Sequence, residues 1–180
     1  MTNVTYLDLK YGVLDDFILC QVDAIAQQSN CVTCRPWGLA KGIADKLPYG
    51  CSYQDRTLLS NNTCVIADRA TPGTIDVRYP TEGYEDSPYV INMFAQWEKS
   101  KPFRYYTNPS PIDSYQSRIE WFQDCLEAIP NIKPPPESIA FPYQIGCGLA
   151  GGDWKIYEAM LLEFAEQTNI KIYICKLYTA

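Results

Sequence analysis

The sequence predicts an α/β fold in which helices cover both faces of a mixed, largely parallel sheet. Three segments are short and mostly apolar, as strands buried on both faces of a parallel sheet are: Val22–Gln27, Tyr89–Ala95 and Ser138–Tyr143. Two longer segments, Ser114–Ile129 and Asp153–Thr168, repeat apolar residues every three or four positions, which indicates amphipathic helices. Strands that alternate with helices in this way form a sheet between layers of helices.

The remaining elements follow from the same patterns and from turn residues. Pro130 ends the first long helix, and Asp153 is a good N-cap for the second. A shorter helix is predicted over Leu39–Leu47, where Pro48 stops it. The segment Glu98–Pro111 mixes charges, tyrosines and prolines and is predicted to be a long loop. Further strands are predicted over Val4–Leu9, Thr63–Ala67, Thr74–Arg78 and Ile170–Leu177.

Composition and charge narrow the class of protein. The 180 residues are enough for one domain, residues 1–180, and 47% of them are hydrophobic, which predicts a folded core. The net charge is −6 and the basic residues form no cluster, which argues against binding to a nucleic-acid backbone. No apolar run reaches the roughly 20 residues that span a bilayer, and Met1–Lys10 does not look like a signal peptide. We therefore expect no membrane contact and a cytoplasmic or nuclear protein that is not secreted.

Histidine is absent, which removes whole classes of chemistry. Without it the chain has neither a Ser-His-Asp nor a Cys-His nucleophile, and it lacks the commonest general base. Cys31 and Cys34 form a C-x-x-C pair, but no second pair supplies the two further ligands that structural zinc needs. We therefore expect no metal site and mostly free, buried thiols, with a redox dithiol at Cys31 and Cys34 as the alternative.

A glycine-rich loop between a strand and a helix is the strongest functional signal. Ile139–Phe141 leads into Gln144–Gly152, and a helix begins at Asp153. In this arrangement backbone N–H groups close around a phosphate, and glycines leave room for its approach. The loop also fits the dinucleotide pattern G-x-G-x-x-G. No acidic residue follows Glu166 to bind ribose hydroxyls, which argues against a nicotinamide-dependent oxidoreductase. A glycine turn without a ligand stays open as an alternative.

A second strand end lies beside a loop of small residues. Val22–Gln27 leads to Asn30, and Gly38 precedes the short helix predicted at residue 39. The carboxyl ends of neighbouring parallel strands meet at one edge of a sheet, which is where α/β proteins bind ligands. The two loops therefore predict a cleft for a ligand with two phosphates.

Four segments resemble the ligand loops and the central strand of macro domains, which bind ADP-ribose. They are Val22–Ile25 with Asn30, Leu39–Ala44, Tyr89–Gln96 and Ile145–Trp154, the last being the most specific. The resemblance is closest to terminal ADP-ribose protein glycohydrolases and ADP-ribose 1-phosphate phosphatases. It implies a three-layer α/β/α sandwich with an ADP-ribose cleft and no cofactor. The implied partner is ADP-ribose or an ADP-ribosylated protein, and a nucleic acid only as an ADP-ribosylated substrate.

The resemblance also implies a set of site residues. Asn30 is expected to position a water or a ribose hydroxyl, and Asp153 to act as a base or to orient the distal ribose. The alternatives are a turn residue for Asn30 and a helix cap for Asp153. For two of the ligand-binding residues named next the alternatives are a solvated helix residue, for Lys41, and a residue that only satisfies a buried strand end, for Gln96. The implied ligand-binding residues are Leu39, Ala40, Lys41, Gly42, Ile43, Gln96, Gln144, Ile145, Gly146, Cys147, Gly148 and Leu149.

Three positions depart from the family pattern. Gly12–Leu14 lacks the aspartate that binds adenine in many macro domains. Gln96 stands where the glycohydrolase branch has a nucleophilic lysine, and Ala150 stands where the partner of that lysine, an aspartate, lies. We therefore predict that water attacks an ADP-ribosyl conjugate, which is a protein ester, O-acetyl-ADP-ribose or ADP-ribose 1-phosphate. A module that binds ADP-ribose without turnover is the alternative.

Overall fold

A central sheet organises residues 3–178, the part of the chain that this computed structural model describes. The strands are β1 (Val4–Leu9), β2 (Ala24–Asn30), β3 (Leu58–Ser60), β4 (Thr63–Cys64), β5 (Ile75–Arg78), β6 (Tyr89–Gln96), β7 (Ser138–Pro142) and β8 (Lys171–Leu177). The α-helices are α1 (Asp16–Leu19), α2 (Leu39–Lys46), α3 (Tyr115–Ala128) and α4 (Trp154–Thr168). Short 3-10 turns lie at Gly12–Leu14, Pro48–Gly50, Tyr53–Asp55, Ile66–Asp68 and Ile129–Asn131.

The main sheet has six strands in the order β1-β8-β7-β2-β6-β5. All neighbours pair in parallel except β5, which lies at one edge and pairs antiparallel with β6. β3 and β4 form a separate antiparallel hairpin. This topology confirms the predicted mixed, largely parallel sheet. Within residues 3–178, no helix has both the length and the apolar character that crossing a membrane requires.

Successive residues of the central strands pack on opposite layers. Ala26 of β2 lies in the cluster that contains Phe122 of α3 and Leu161 of α4. Its neighbour Ile25 lies in a second cluster with Ile43 of α2. Because side chains alternate between the faces of a sheet, the two clusters place helices on both sides of it. The predicted three-layer α/β/α architecture is confirmed.

One predicted strand is wrong, and another has shifted. The segment Thr63–Ala67 was expected to be one strand, but only Thr63–Cys64 pairs, and Ile66 begins a 3-10 turn. A longer strand has nothing to pair with here, because the facing strand of the hairpin is itself only three residues long. The β-branched residues of the segment therefore do not extend the strand. β2 begins two residues later than predicted and continues to Asn30. This extension matters for function, since it makes Asn30 the last residue of a strand.

Candidate functional site

A cavity of about 740 Å³ lies at the carboxyl ends of β2, β6 and β7. Three loops complete its walls: the first loop (residues 31–38, after β2), the second loop (residues 143–153, after β7) and the third loop (residues 97–114, after β6). The volume is in the range of small-molecule sites, and the position is the usual ligand edge of a parallel sheet. The cleft predicted from the two small-residue loops is therefore present, and the third loop adds a wall to it.

The charge of the cavity is opposite to that of the chain as a whole. Arg35 of the first loop and Lys99 of the third loop are the only charged side chains among the described residues that line it. No carboxylate belongs to this described lining, although the chain has a net charge of −6. A concave surface lined by one sign of charge concentrates ligands of the opposite sign, so the cavity favours an anion.

The second loop offers backbone donors to this cavity. The N–H groups of Ile145, Cys147 and Gly152 are used inside the loop and at the end of β7. In contrast, the N–H groups of Gly148 and Leu149 meet no acceptor among the described residues, and both residues line the cavity. Neighbouring free N–H groups in a glycine loop form an anion-binding concavity.

The glycines of the second loop serve two different purposes. A Cβ atom on Gly146 would lie 2.7 Å from a ring carbon of Tyr157, and one on Gly152 would lie 2.6 Å from the carbonyl oxygen of Gly146. These two glycines let the loop pack against itself and α4. A Cβ atom on Gly148 would meet nothing within 4 Å. Gly148 alone of the three therefore leaves its space free for a ligand.

The N-terminus of α2 forms the opposite wall. Gly38 is its N-cap, with φ at 57° and no side chain to cap the helix, and both Leu39 and Ala40 line the cavity. An uncapped helix N-terminus leaves its first N–H groups and the positive end of the helix dipole to an anion. α4 differs, because the Asp153 carboxylate accepts the Lys155 N–H at 3.0 Å and occupies that helix end.

Asn30 lines the cavity and fixes the shape of the first loop. Its Oδ1 accepts the backbone N–H groups of Val32 at 3.1 Å and Thr33 at 2.9 Å. Its Nδ2 donates to the Thr33 hydroxyl at 2.9 Å. The side-chain amide of an asparagine carries two N–H donors, and Thr33 is the only described residue that accepts from Nδ2 of Asn30. Asn30 thus has the turn role that was one of its two predicted roles, and it keeps one donor for a ligand or a water.

Two residues beneath the first loop hold Asn30 in place. The hydroxyl of Tyr53 accepts the Asn30 N–H at 2.9 Å. Arg56 donates to the carbonyl oxygens of Asn30 and Thr33, each at 2.7 Å. Its guanidinium lies over the rings of Tyr53 and Phe94, 4.7 and 5.6 Å from their centroids. A planar cation that stacks and donates at once holds this strand end rigidly.

Most of the predicted ligand-binding residues lie on the cavity wall. They are Leu39, Ala40, Gln96, Gln144, Ile145, Gly146, Gly148 and Leu149, together with the predicted catalytic residue Asn30. These residues come from four different segments of the chain, and the fold brings them together. Their roles toward a ligand stay predictions.

Five predicted site residues lie outside the lining. Lys41 pairs with Asp45 on the exposed side of α2 at 2.6 Å. Ile43 is buried in the core, and a Cβ atom on Gly42 would lie 2.8 Å from Leu14. Asp153 caps α4, as described above.

Cys147 is the fifth, and its thiol bonds to the carbonyl oxygen of Ile145 at 3.4 Å. Burial raises the pKa of this thiol to about 11, with a smaller effect from the nearby Asp153. A thiol with such a pKa is protonated near neutral pH and is a poor nucleophile. The cavity therefore has no thiolate at this position.

Two acidic residues follow Gly12–Leu14, and both have partners: Asp16 pairs with Lys46 at 2.7 Å on the surface, and Asp15 is a helix cap. Asp15, the acid that follows this turn, accepts the N–H groups of Phe17 at 3.0 Å and Tyr11 at 3.2 Å. Its carboxylate therefore caps α1, which leaves the departure from the family pattern in place.

Several cavity residues were not predicted from the sequence. They are Gln27, Gln28, Arg35, Tyr53, Asn62, Lys99, Ser100, Tyr105 and Tyr143. Three of them, Lys99, Ser100 and Tyr105, come from the segment that was predicted only as a long loop. Long loops in a compact domain are often functional, and that length was the signal available.

The fold and the cavity together define a three-layer α/β domain with a cavity at the carboxyl ends of its parallel strands. No protein-family model and no curated protein matches the sequence. Solved structures do match, and several of them are macrodomains. The macrodomain of Mycobacterium tuberculosis DarG aligns with a TM-score of 0.64 at 19% identity, over 96% of each chain.

Two further solved structures agree. The macrodomain of Thermus aquaticus DarG aligns with a TM-score of 0.59 at 17% identity, over 98% of this chain and 99% of that one. The Trypanosoma brucei macrodomain in complex with ADP gives 0.52 at 15% identity, over 88% of this chain and 59% of that one. At such identities the likeness is one of fold, so this chain has the macrodomain fold.

Proposed function

We propose that this chain binds ADP-ribose in the cavity between the first and second loops. The observation that carries the proposal is the pair of free N–H groups at Gly148 and Leu149, two residues that line a cavity without a described carboxylate. The uncapped N-terminus of α2 adds donors on the opposite wall. Donors on two walls suit a diphosphate, and the T. brucei macrodomain is a case in which this fold holds ADP.

A calorimetric titration with ADP-ribose tests this proposal. The Gly148→Glu variant places a bulky anion in the open space beside the two N–H groups, and nothing within 4 Å opposes its Cβ atom. Ala159→Glu, on an exposed position of α4, adds the same charge away from the cavity and serves as the matched control. Wild type and Ala159→Glu are expected to bind, and Gly148→Glu to lose binding. Equal binding by all three proteins, or binding by none, would show the proposal to be wrong.

We further propose that the cavity hydrolyses ADP-ribosyl conjugates by attack of water, with an ADP-ribosylated protein as its partner. Water is favoured because the Gln96 amide does not form a covalent adduct and Cys147 is protonated and outside the lining. The remaining donor of Asn30, a residue of the cavity lining, orients that water or the ribose in this proposal. The catalytic role of Asp153 stays a prediction, since its carboxylate caps α4.

A measurement of turnover distinguishes a hydrolase from a module that only binds ADP-ribose. The protein is incubated with an ester-linked ADP-ribosylated protein, with O-acetyl-ADP-ribose and with ADP-ribose 1-phosphate, and free ADP-ribose is measured by mass spectrometry. Release by wild type that Gly148→Glu abolishes would support hydrolysis. Binding without release from any of the three substrates would favour the binding module.

A further inference from the structure

A buried arginine outside the cavity uses every donor that it has. Arg118 of α3 is only 1% exposed. Its Nε and Nη2 atoms donate to the two carboxylate oxygens of Asp113 at 2.7 and 2.8 Å. Nη1 donates to the carbonyl oxygens of Ser100 at 2.6 Å and Ala150 at 3.4 Å, and Nη2 also donates to that of Glu98 at 3.2 Å. All five N–H donors of the guanidinium thus have acceptors.

These acceptors belong to two different walls of the cavity. Glu98, Ser100 and Asp113 lie in the third loop, whereas Ala150 lies in the second loop, directly after Leu149. The loops also touch elsewhere, since a Cβ atom on Gly151 would lie 2.9 Å from the Lys101 side chain. A single side chain of α3 therefore connects the wall that carries Lys99 with the wall that carries the free N–H groups.

Arg118 also holds a strained part of the third loop. Ser100 has φ at 67°, in the left-handed region that non-glycine residues seldom occupy, and it lines the cavity. Such a conformation persists only where the surroundings impose it, and it is frequent at functional sites. The carbonyl oxygen of Glu98 that accepts from Arg118 also accepts Nε2 of Gln96 at 2.8 Å. The contacts of Arg118 therefore reach a side chain on the cavity wall.

A buried ion pair is a poor way to gain stability, because apolar side chains of similar volume often stabilise a protein more. We propose that Arg118 is a positioning residue: it holds the second and third loops together as one wall and thereby sets the affinity for ADP-ribose without touching the ligand. This inference rests on the proposed function. Arg118 is absent from the described lining of the cavity, as that role requires.

Hydrogen exchange of the ligand-free protein and calorimetric titration with ADP-ribose test the two halves of this inference. Arg118→Lys keeps the charge but supplies three donors from a single atom, which are too few for five acceptors. We expect faster exchange in both residues 98–113 and residues 144–152. We also expect the affinity for ADP-ribose to fall by about tenfold. In metal sites, substitution of a residue that orients a ligand without binding the metal costs about 10- to 100-fold in affinity, and we take the lower end of that range.

The matched control is Ile129→Ala, a buried change just after α3 that does not line the cavity. It should lower the melting temperature while leaving exchange in the two loops and the affinity unchanged. If Arg118→Lys does not fold, Asp113→Asn is measured in the same way, since it replaces one of the two oxygens that accept from the guanidinium with an NH2 donor and removes the negative charge.

The outcomes separate this inference from the function on which it rests. Faster exchange in one loop only, or in neither, overturns the connection between the walls. Faster exchange in both loops with unchanged affinity overturns the positioning role. A wild-type protein that does not bind ADP-ribose overturns the proposed function and with it the positioning role, while the exchange measurement still decides whether Arg118 connects the loops.

Discussion

The Nε2 atom of Gln28 donates to the Oε1 atom of Gln96 over 2.8 Å, which joins the ends of β2 and β6 at the cavity. Gln96 in turn donates from Nε2 to the carbonyl oxygen of Glu98 at 2.8 Å. A carbonyl oxygen only accepts, so this contact fixes the orientation of both amides. Oε1 of Gln28 is then buried without a partner among the described residues. Gln96, which stands where the resemblance to glycohydrolases implies a lysine, thus forms a link between two strands.

This amide link predicts an energetic coupling between Gln28 and Gln96. Gln96→Leu leaves the Gln28 donor without its partner, and an unsatisfied buried group costs about 1–3 kcal/mol, whereas the Glu98 carbonyl oxygen still accepts from Arg118. Adding Gln28→Leu removes that orphaned donor, so the double variant should lose less than the sum of the single losses. Urea unfolding of the four proteins gives the coupling, expected at about 0.5–3 kcal/mol. Additive losses would mean that the two amides do not act as a pair.

The unused Nδ2 donor of Asn30 predicts that a substitution can weaken ligand binding while the first loop keeps its structure. Asn30→Asp keeps the oxygen that accepts from Val32 and Thr33 but removes the Nδ2 donors and adds a negative charge. We expect ADP-ribose binding to weaken and the melting temperature to change little.

Asn62→Asp is the matched control for that change. Asn62 also lines the cavity, and its Oδ1 accepts the N–H groups of Cys34 at 3.2 Å and Arg35 at 2.8 Å. It therefore adds the same charge to the same wall. An equal loss of affinity in both variants would assign the effect to charge and would contradict a special role for the Asn30 donor.

The capping bond of Asp153 predicts how two substitutions at this position differ. Asp153→Ala should lower the free energy of unfolding by about 1 kcal/mol, because the first turn of α4 loses its cap, whereas Asp153→Asn keeps a cap acceptor. Binding of ADP-ribose should survive both changes, since Asp153 lies outside the cavity lining. Turnover that Asp153→Asn abolishes at unchanged stability would instead support the catalytic role predicted from the sequence.

The sequence predicted those parts of the site that depend on local patterns. The buried strands β2, β6 and β7 and the glycine loop were readable because apolar periodicity and glycine spacing are local signals. The purpose of individual glycines was not readable: Gly146 and Gly152 are required by packing on distant parts of the fold. Which glycine lines the cavity depends on tertiary contacts. The spacing of the glycines in the sequence carries no information about those contacts.

The third loop was predicted as a loop, but its conformation and its place at the cavity could not be predicted, and the reason is different. Its conformation depends on Arg118, and arginine is almost always exposed unless it is paired. In the sequence, Arg118 looks like a solvated residue of an amphipathic helix, and Asp113 like a residue near a helix start. Only the fold shows that the two form a buried pair at 2.7 Å and that Ala150 joins them.

The buried carboxyl of Glu98 predicts a pH-dependent contribution to stability. Burial raises the pKa of this carboxyl, and the nearby charge of Asp113 acts in the same direction, whereas the Thr107 hydroxyl that bonds to it acts against them. The folded state therefore binds this proton more tightly than the unfolded state does. It follows that the contribution of Glu98 to stability falls as the pH rises from its unfolded-state pKa, about 4.5, through its folded-state pKa.

Glu98→Gln tests this dependence, because an amide of the same shape keeps an acceptor for Thr107 but does not ionise. Urea unfolding is measured for both proteins at pH 4 and pH 7, with Glu166→Gln on the exposed side of α4 as the control. The stability of Glu98→Gln relative to wild type should be higher at pH 7 than at pH 4. The same difference at both pH values would mean that the folded protein does not hold this proton more tightly.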